Sequence, residues 1–384
     1  MADTTISQLQ SIAALSATNY AVVSNGTVTS KIDISNLGGG YRNKLTNGDM
    51  RIDQYHNGAV ITANAGTVPL PSIDRWQLNN SGSTANLTWQ RVDDAPPGFK
   101  YSLKTSVISP QTGTVPAATW ATIRQWHNGS IMNDLAYGTS SAKPVTLSFW
   151  VKSSILGNFP INLACFGYNY CSLYSINAVN TWEYKVITIP GITTAVTNNN
   201  VEVEVGLRFP LMAGTDNITS SLNTWNAGGG AVHSSATLFN AYAGATLHMT
   251  GIQLETGSVA TPFELRPYGT ELLECQRYQL IIGNNNNAFV PFASGYIRNA
   301  NTALYMRNMS PFFAQAPALS ANPGAFVIDD GNVHVPTSVA IDRYCDGTMQ
   351  LIATVTNNAL TTGRGSILYG NSSGTGRLLF YTGH

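Results

Sequence analysis

Short runs in which apolar and polar residues alternate recur along most of the chain, and clusters of Gly, Pro and Asn separate them. Alternation with a period of two is typical of strands with one buried face, so the pattern favours an all-β protein. In the first two thirds the predicted strands are residues 86–92, 101–106, 120–126, 145–153, 184–189, 201–209 and 246–254. Their spacing is typical of a β-sandwich or jelly roll and not of βαβ units.

The last third of the chain shows the same pattern and predicts a second β-sandwich. Its predicted strands are residues 278–282, 288–292, 303–306, 324–328, 333–336, 350–355, 366–369 and 377–381. Residues 248–279 join the two sandwiches. They predict a buried strand, a Pro-rich crossing segment, a short helix-like piece at residues 270–275, and the first strand of the next sheet.

The first 45 residues predict a small separate module. Residues 20–23 and 28–32 flank Asn25-Gly26, which favours the type I′ turn of a β-hairpin. So small a hairpin cannot bury a core alone, so we expect it to dock on another structure. The predicted domains are residues 1–45, 46–268 and 269–384.

Composition narrows the classes of partner. Of the 384 residues, 43% are apolar and 10% aromatic, which is enough for more than one full core. Charged residues make up 10% and the formal net charge is zero. The sequence has no basic stripe for phosphate groups, so nucleic acid is not an expected partner. It also has no apolar run of membrane-spanning length, so membrane insertion is not expected.

The cysteines and the N-terminus indicate where the chain is assembled. Cys165, Cys171, Cys275 and Cys345 lack the spacing of metal ligands. We expect free thiols in a chain assembled in a reducing cytoplasm, since Cys165 and Cys171 could pair only if the residues between them form a hairpin. The first residues lack the basic and apolar regions of a secretory signal, so export is not expected.

Glu202 and Glu204 are the strongest candidates for catalysis. On a strand they would share one face at a separation of ~7 Å, which is within the ~6.5–9.5 Å of inverting glycosidases. However, such neighbours project in parallel, whereas a glycosidic bond must sit between opposed carboxylates. The six histidines are scattered and no Gly-x-Ser-x-Gly motif is present. The sequence therefore predicts no enzyme.

Ordered motifs run from residue 45 to residue 279. They are NGDMRIDQ (47–54), DRW (74–76), VTLSFWVKS (145–153), TWEY (181–184) and GIQLETGSVATPFELRPYGTELLECQRY (251–278). In this order they resemble bacteriophage tail and head fibre proteins. The stretch from Ile6 to Ile32 also resembles the N-terminal attachment modules of those proteins. The resemblance implies a carbohydrate-binding-like jelly roll, a C-terminal receptor-binding domain and a homotrimer. It further implies contact with other virion proteins through residues 1–45, and a place on the virion surface.

Binding of a host-surface glycan is the predicted function, with Trp126, Trp150, Tyr168 and Tyr170 as candidate ligand contacts. Trp and Tyr rings stack on the C–H faces of sugars, while amide groups hydrogen-bond to hydroxyls. In residues 147–152 the alternation places Phe149 in the core and Trp150 on the opposite face. The alternative is that these rings pack under loops or against a neighbouring subunit.

No cofactor is predicted. Sugar-binding jelly rolls often hold a structural calcium between their first and last strands, and Asp49 and Glu255 lie near those ends. A calcium site needs about six to eight oxygen ligands, so two carboxylates do not define one. The sequence therefore neither predicts nor excludes a structural calcium ion.

Three alternative functions remain open. One is a capsid-surface head fibre or decoration protein with the same fold. Another is a depolymerising tailspike enzyme, although the chain shows no repeat of the kind that builds a long parallel β-helix. The third, a secreted carbohydrate-binding module, would need an export signal.

Overall fold

The computed structural model describes residues 20–24, 29–33, 41–64, 67–194, 196, 204–228, 230–283, 291–309, 313, 317–345, 348–356, 358–370 and 378–381. The side chains of residues 20–24, 29–33, 67–72, 204 and 345 are not among the described parts. Within these limits the fold is all-β, as the alternating pattern predicts, with one short α-helix. No described helix has the length and apolar character required to cross a bilayer.

The N-terminal hairpin consists of β1 (Tyr20–Ser24) and β2 (Thr29–Asp33). The strands pair antiparallel, with Ser24 opposite Thr29 and Tyr20 opposite Asp33. This pairing confirms the two predicted strands. The predicted Asn-Gly turn between them, residues 25–28, lies outside the described residues, as do residues 34–40.

The first sandwich is a jelly roll, to which the described residues contribute fifteen strands. They are β3 (Ile61–Ala63), β4 (Thr67–Ile73), β5 (Trp76–Ser81), β6 (Asn86–Val92), β7 (Ser102–Ser109), β8 (Trp120–Asn128), β9 (Val145–Ser153), β10 (Gly157–Cys165), β11 (Tyr168–Ile176), β12 (Glu183–Ile189), β13 (Glu204–Ala213), β14 (Ile218–Thr219), β15 (Trp225–Ala227), β16 (Val232–His233) and β17 (Thr246–Thr256). Short 3-10 helices occupy Gly129–Leu135, Thr215–Asn217 and Phe239–Ala241.

Two large sheets face each other across the first core. The seven-stranded sheet has the order β15-β11-β10-β13-β8-β5-β4, and the six-stranded sheet has the order β12-β9-β17-β7-β6-β3. Phe149 of the six-stranded sheet and Phe209 of the seven-stranded sheet meet edge to face, with ring centroids 5.2 Å apart. Both rings are almost completely buried. The alternation that predicted the strands therefore also supplies the core.

The sequence prediction of the first sandwich is incomplete, because it missed β3, β4, β5, β10, β11, β14, β15 and β16. The sequence predicts a loop around Tyr168 and Tyr170, but both residues lie in β11, which forms a long hairpin with β10. The pattern contains no signal for this hairpin because seven consecutive residues of β10, from Phe159 to Cys165, are all buried. A strand buried on both faces shows no alternation.

Helix α1 (Tyr268–Gln276) connects the two sandwiches and confirms the helix-like piece expected at residues 270–275. The carboxylate of Glu271 on this helix accepts a hydrogen bond from the backbone N–H of Asn47 and pairs with Arg266 at 3.4 Å. Beyond the helix, the side-chain amide of Gln54 donates to the carbonyl of Gln279 at 3.1 Å. The NGDMRIDQ segment therefore anchors helix α1 and the start of β18, where the chain leaves the first sandwich.

The second sandwich contains ten strands in the part of the chain that the structure describes. They are β18 (Gln279–Ile282), β19 (Pro291–Asn299), β20 (Thr302–Asn308), β21 (Ala318–Ala321), β22 (Phe326–Asp329), β23 (Val333–His334), β24 (Ser338–Cys345), β25 (Thr348–Thr354), β26 (Gly365–Gly370) and β27 (Leu378–Tyr381), with a 3-10 helix at Pro323–Ala325. A three-stranded sheet of order β18-β27-β21 packs on a seven-stranded sheet of order β23-β22-β26-β19-β20-β25-β24.

The sequence prediction of this sandwich is incomplete. It missed β21 and β24, and it located only the start of β19, whose predicted residues 288–290 lie outside the described chain. In β24 the polar sequence Asp342-Arg343 interrupts the alternation, and a register irregularity occurs between Ile341 and Arg343. A bulge of this kind shifts the side chains that follow it and disrupts the period of two.

Candidate functional site

One row of polar side chains crosses the outer face of the seven-stranded sheet of the jelly roll. Gln77 of β5 lies opposite Arg124 of β8, Arg124 lies opposite Arg208 of β13, and Arg208 lies opposite Asn162 of β10. Register partners project from the same side of a sheet, so the four side chains are neighbours across four adjacent strands. The next row contains Trp126, opposite Gly206.

The indole of Trp126 lies flat above Gly206. A Cβ atom at position 206 would come within 2.5 Å of the ring, so only glycine allows this close approach. The guanidinium carbons of Arg208 and Arg124 lie 4.6 Å and 5.5 Å from the ring centre, and Arg208 also lies 5.7 Å from the ring of Trp120. These cation–π contacts hold the rings and the guanidiniums in one layer.

Side-chain amide groups beneath this layer orient Arg208. Arg208 Nη1 donates to the Oδ1 atoms of Asn162 at 3.2 Å and of Asn169 at 3.4 Å. Asn162 is completely buried and its amide donates to the carbonyl of Tyr170 at 3.2 Å. The side-chain carbonyl oxygen of Gln77 is buried and accepts no hydrogen bond from the described residues. We name the surface formed by Gln77, Trp120, Arg124, Trp126, Asn162, Asn169 and Arg208 the Trp126 face.

A second aromatic site lies on the outer face of the opposite, six-stranded sheet. It is an open pocket of about 380 Å³ whose lining includes Phe99, Trp150, Tyr184, Pro262 and Phe263. Trp150 and Tyr184 are register partners on β9 and β12, and their ring centroids are 5.3 Å apart. Phe99 and Phe263 meet edge to face at 5.2 Å. We name this site the Trp150 pocket.

The four aromatic residues selected from the sequence do not converge. Trp126 and Trp150 lie on opposite outer faces of the jelly roll, and Trp150 projects away from the core as the alternation predicts. Tyr170 is only 3% exposed and packs against Trp225 with ring centroids 5.4 Å apart. Tyr168 is half-buried against the same core. Tyr170 is therefore part of the core, whereas Tyr168 keeps part of its surface exposed.

Sequence reasoning missed most of the Trp126 face, namely Gln77, Trp120, Arg124, Asn162, Asn169 and Arg208. A signal was available in β8, because Trp120, Arg124 and Trp126 are spaced by even numbers and a strand places such residues on one side. The contributions of Arg208 and Asn162 depend on the pairing of β13 with β8 and β10. No local pattern specifies that pairing.

A charged cluster lies beside the Trp150 pocket. Asp94 accepts hydrogen bonds from Lys152 and from Trp182 Nε1 at 3.4 Å, and lies 3.7 Å from His248 Nδ1. Burial, together with the positive charge of Lys152, lowers the pKa of His248 to about 4, although Asp94 acts in the opposite direction. Burial would raise the pKa of Asp94, but the hydrogen bond from Lys152 and the nearby positive charges give a net lowering. These contacts attach Asp94 to the outer face of the sheet.

The carboxylates considered for metal binding and catalysis are otherwise engaged or not described. Asp49 pairs with Arg51 at 2.9 Å, and Glu255 accepts from the backbone N–H of Thr261 at 2.8 Å. Among the described residues no group of three or more His, Cys, Asp or Glu side chains could hold a metal ion. Glu202 and the side chain of Glu204 lie outside the described residues, so the catalytic hypothesis for this pair is not addressed by the structure.

The described cysteines are free thiols. Cys165, Cys171 and Cys275 are all buried and unbonded. Although β10 and β11 do form a hairpin, Cys165 lies opposite Tyr168 while Cys171 lies opposite Asn162. Cys165 is three residues from Asn162 along β10, so the two thiols project from opposite faces of the sheet.

No family model matches the chain. No curated protein matches it either. Among solved structures, the chain is similar to the enzymatically active domain of tailspike protein 4 of bacteriophage CBA120, with 12% identity over 56% of this chain and 22% of that chain, and a TM-score of 0.28. This chain therefore covers about a fifth of that tailspike chain.

Two carbohydrate-binding modules are also similar to the chain. A family 11 module of a cellulosomal cellulase of Clostridium thermocellum is 14% identical over 53% of this chain and 100% of the module, with a TM-score of 0.25. A family 61 module in complex with β-1,4-galactotriose is 7% identical over 56% of this chain and 99% of the module, with a TM-score of 0.26. At these scores the likenesses do not identify a function for the chain.

Proposed function

We propose that the chain is a structural virion fibre protein, a tail fibre, that binds a host-surface glycan through the Trp126 face. The observation that carries the proposal is the polar row Gln77, Arg124, Arg208 and Asn162 beside the flat indole of Trp126. The order of the sequence motifs supports the assignment to a phage fibre. In this proposal residues 1–45 attach the chain to other virion proteins, and three copies associate.

The chemistry of the Trp126 face suits a sugar. A half-buried indole offers a flat apolar surface for the C–H face of a pyranose ring, and its guanidinium neighbours act as donors to ring hydroxyls. Gln77 and Asn169 are half-buried, so their side-chain amides add hydrogen-bonding groups to the same surface.

Binding without hydrolysis is the proposed activity. The side chains that define the Trp126 face are indoles, guanidiniums and amides, and none of them serves as a general acid at neutral pH. Contacts of this type are individually weak, so adhesion would depend on several copies that act together. Release of reducing ends from host capsule by the purified protein would contradict this part of the proposal and favour a depolymerising tailspike.

The binding experiment compares two variants, each of which removes one solvent-exposed aromatic ring. Trp126→Ala is expected to weaken binding of the full-length protein to host-envelope polysaccharide by about tenfold, which corresponds to roughly 1.4 kcal/mol and is the upper range of an aromatic contact. Tyr242→Ala is the control, because Tyr242 is 44% exposed and belongs to neither the Trp126 face nor the Trp150 pocket. It is expected to retain most of the affinity. Thermal unfolding of both variants verifies that they fold.

Equal binding by Trp126→Ala and the wild-type protein would overturn the assignment of the Trp126 face. Recognition would then move to the C-terminal sandwich, which the sequence resemblance associates with receptor binding. Imaging of intact particles with the chain located separates a tail fibre from the alternative, a capsid-surface head fibre or decoration protein.

A further inference from the structure

We propose that the Trp150 pocket is a second binding site, separate from the Trp126 face, for an uncharged sugar residue that carries an apolar substituent. Suitable substituents are the methyl group of an N-acetyl or of a 6-deoxy sugar. Residues 251–264, which belong to the most distinctive sequence motif of the chain, have no part in the Trp126 face. They contribute to this pocket instead.

The motif forms one wall of the pocket, and hydrogen bonds attach that wall to the sheet. Glu255 Oε1 accepts from the backbone N–H of Thr261 at 2.8 Å, and Glu255 Oε2 accepts from its hydroxyl at 2.6 Å. Gln253 Oε1 accepts from the backbone N–H of Glu264 at 2.8 Å. Pro262 and Phe263 lie between these anchor points and line the pocket. The wall is therefore in place before any ligand arrives.

A bulge in β17 positions Phe99, which forms the opposite wall of the pocket. The pairing of β17 with β9 shifts between Thr250 and Gln253, and Gly251 in the bulge has a φ of 61°. The ring of Phe99 lies directly on Gly251, because a Cβ atom there would come within 2.6 Å of the ring. A glycine bulge allows both the backbone conformation and the close approach. Phe99 is thereby held where it closes the side of the pocket.

The lining determines the class of ligand. Among the described residues that line the pocket none is charged, and four carry aromatic rings. A charged sugar would lose its hydration without gaining an ion pair. A sugar with hydroxyls on every side would bury some of them against rings without partners, which also costs free energy. A methyl or acetyl group avoids that cost and contacts the rings instead.

Polar groups are present where the rest of a sugar would need them. Ser148 lines the pocket, and Tyr184 is 44% exposed. Thr261, which is half-buried, also lines the pocket. The volume of about 380 Å³ lies near the lower end of small-molecule pockets, which suits one or two sugar rings and not a long chain.

The test uses full-length protein with Trp126→Ala, so that binding at the Trp126 face is weakened. The probes are the methyl glycosides of N-acetylglucosamine, rhamnose and glucose, and binding is followed by saturation-transfer NMR with titration. We expect saturation of the acetyl and deoxy methyl groups, and at least fivefold weaker binding of the glucoside. Adding Tyr184→Ala is expected to weaken binding of the methyl-bearing sugars by at least fivefold.

Val186→Ala is the matched control, because Val186 is two residues along β12, is 48% exposed and lies outside the pocket lining. It is expected to leave sugar binding unchanged. Equal binding with and without Tyr184→Ala, or equal binding of the glucoside, would overturn the proposal. If the Trp126→Ala protein bound no sugar, and Tyr184→Ala changed the number of associated copies, the pocket would instead be assigned to contacts between copies. Because Trp126→Ala is present throughout, failure of the Trp126 face as a glycan site is measured separately.

Discussion

The guanidinium of Arg75, in the turn before β5, lies 3.3 Å from the centre of the Tyr278 ring, at the point where the second sandwich begins. Arg75 is buried and donates to the carbonyl of Trp126, and it lies 3.4 Å from His127 Nδ1. One side chain therefore connects the DRW motif, the strand that carries Trp126, and the exit from α1. The contact links the start of the second sandwich to the Trp126 face.

Truncation of the Tyr278 ring should destabilise the junction between the two sandwiches. We expect Tyr278→Ala to lower the free energy of unfolding by about 3 kcal/mol, because it leaves a cavity and uncovers a buried guanidinium. Tyr278→Phe keeps the ring and should cost less than about 1 kcal/mol. Chemical denaturation of the two variants measures the difference. Similar unfolding curves for both would show that the stacking contributes little.

Acid should weaken the jelly roll through His248. Its pKa is lowered to about 4 in the folded chain by burial and by Lys152, against about 6.5 when unfolded. Below pH 6.5 the unfolded chain binds a proton that the folded chain does not, so stability falls as the pH drops from 6.5 to about 4. The loss is at most roughly 3 kcal/mol.

The groups that face His248 are Asp94, Lys152 and Lys104. The lowered pKa of Asp94 adds its own loss of stability at lower pH, as its carboxylate becomes protonated. His248→Gln removes the imidazole titration, and we expect it to flatten the dependence of unfolding free energy on pH between 6.5 and about 4. An unchanged slope in this variant would exclude His248 as the source.

A side chain at position 251 should displace Phe99. Gly251→Ala meets both the strain of a positive φ and the ring at 2.6 Å, whereas Gly113→Ala at a φ of 68° meets no atom within 4 Å. We expect Gly113→Ala to cost about 1 kcal/mol from strain alone. Gly251→Ala should cost at least about 1 kcal/mol more, because overpacking is added. Thermal denaturation compares the two, and equal shifts would contradict the seating of Phe99 on Gly251.

The buried thiols should resist modification in the folded state. Burial raises the pKa of Cys171 to about 11 and raises that of Cys165 further, so little thiolate forms at neutral pH. In a Cys345→Ser background, we expect a thiol reagent to react slowly until denaturant is added and then to modify all the remaining thiols. Rapid reaction in the native state would contradict the burial. Mild oxidation should also leave Cys165 and Cys171 unpaired, since they project from opposite faces.

Local pattern alone determined a large part of this fold. Alternation located seven of the fifteen described strands of the jelly roll, and it correctly assigned Phe149 to the core and Trp150 to the outer face. The motif after β17 likewise predicted the short helix α1. These features depend on one segment at a time, because the exposure of a residue on a strand follows from the period of the strand itself.

Only the tertiary structure decided which aromatic residues form a surface. Trp126 acquired its partners from β5, β13 and β10, whose pairing sets Gln77, Arg208 and Asn162 beside it. Tyr170, which looked equivalent in the sequence, became part of the core because it lies opposite Leu163 of β10, on the inner face of the sheet. The residues of each face are brought together by pairings between strands far apart in the chain, and such pairings leave no trace in the pattern of a single strand.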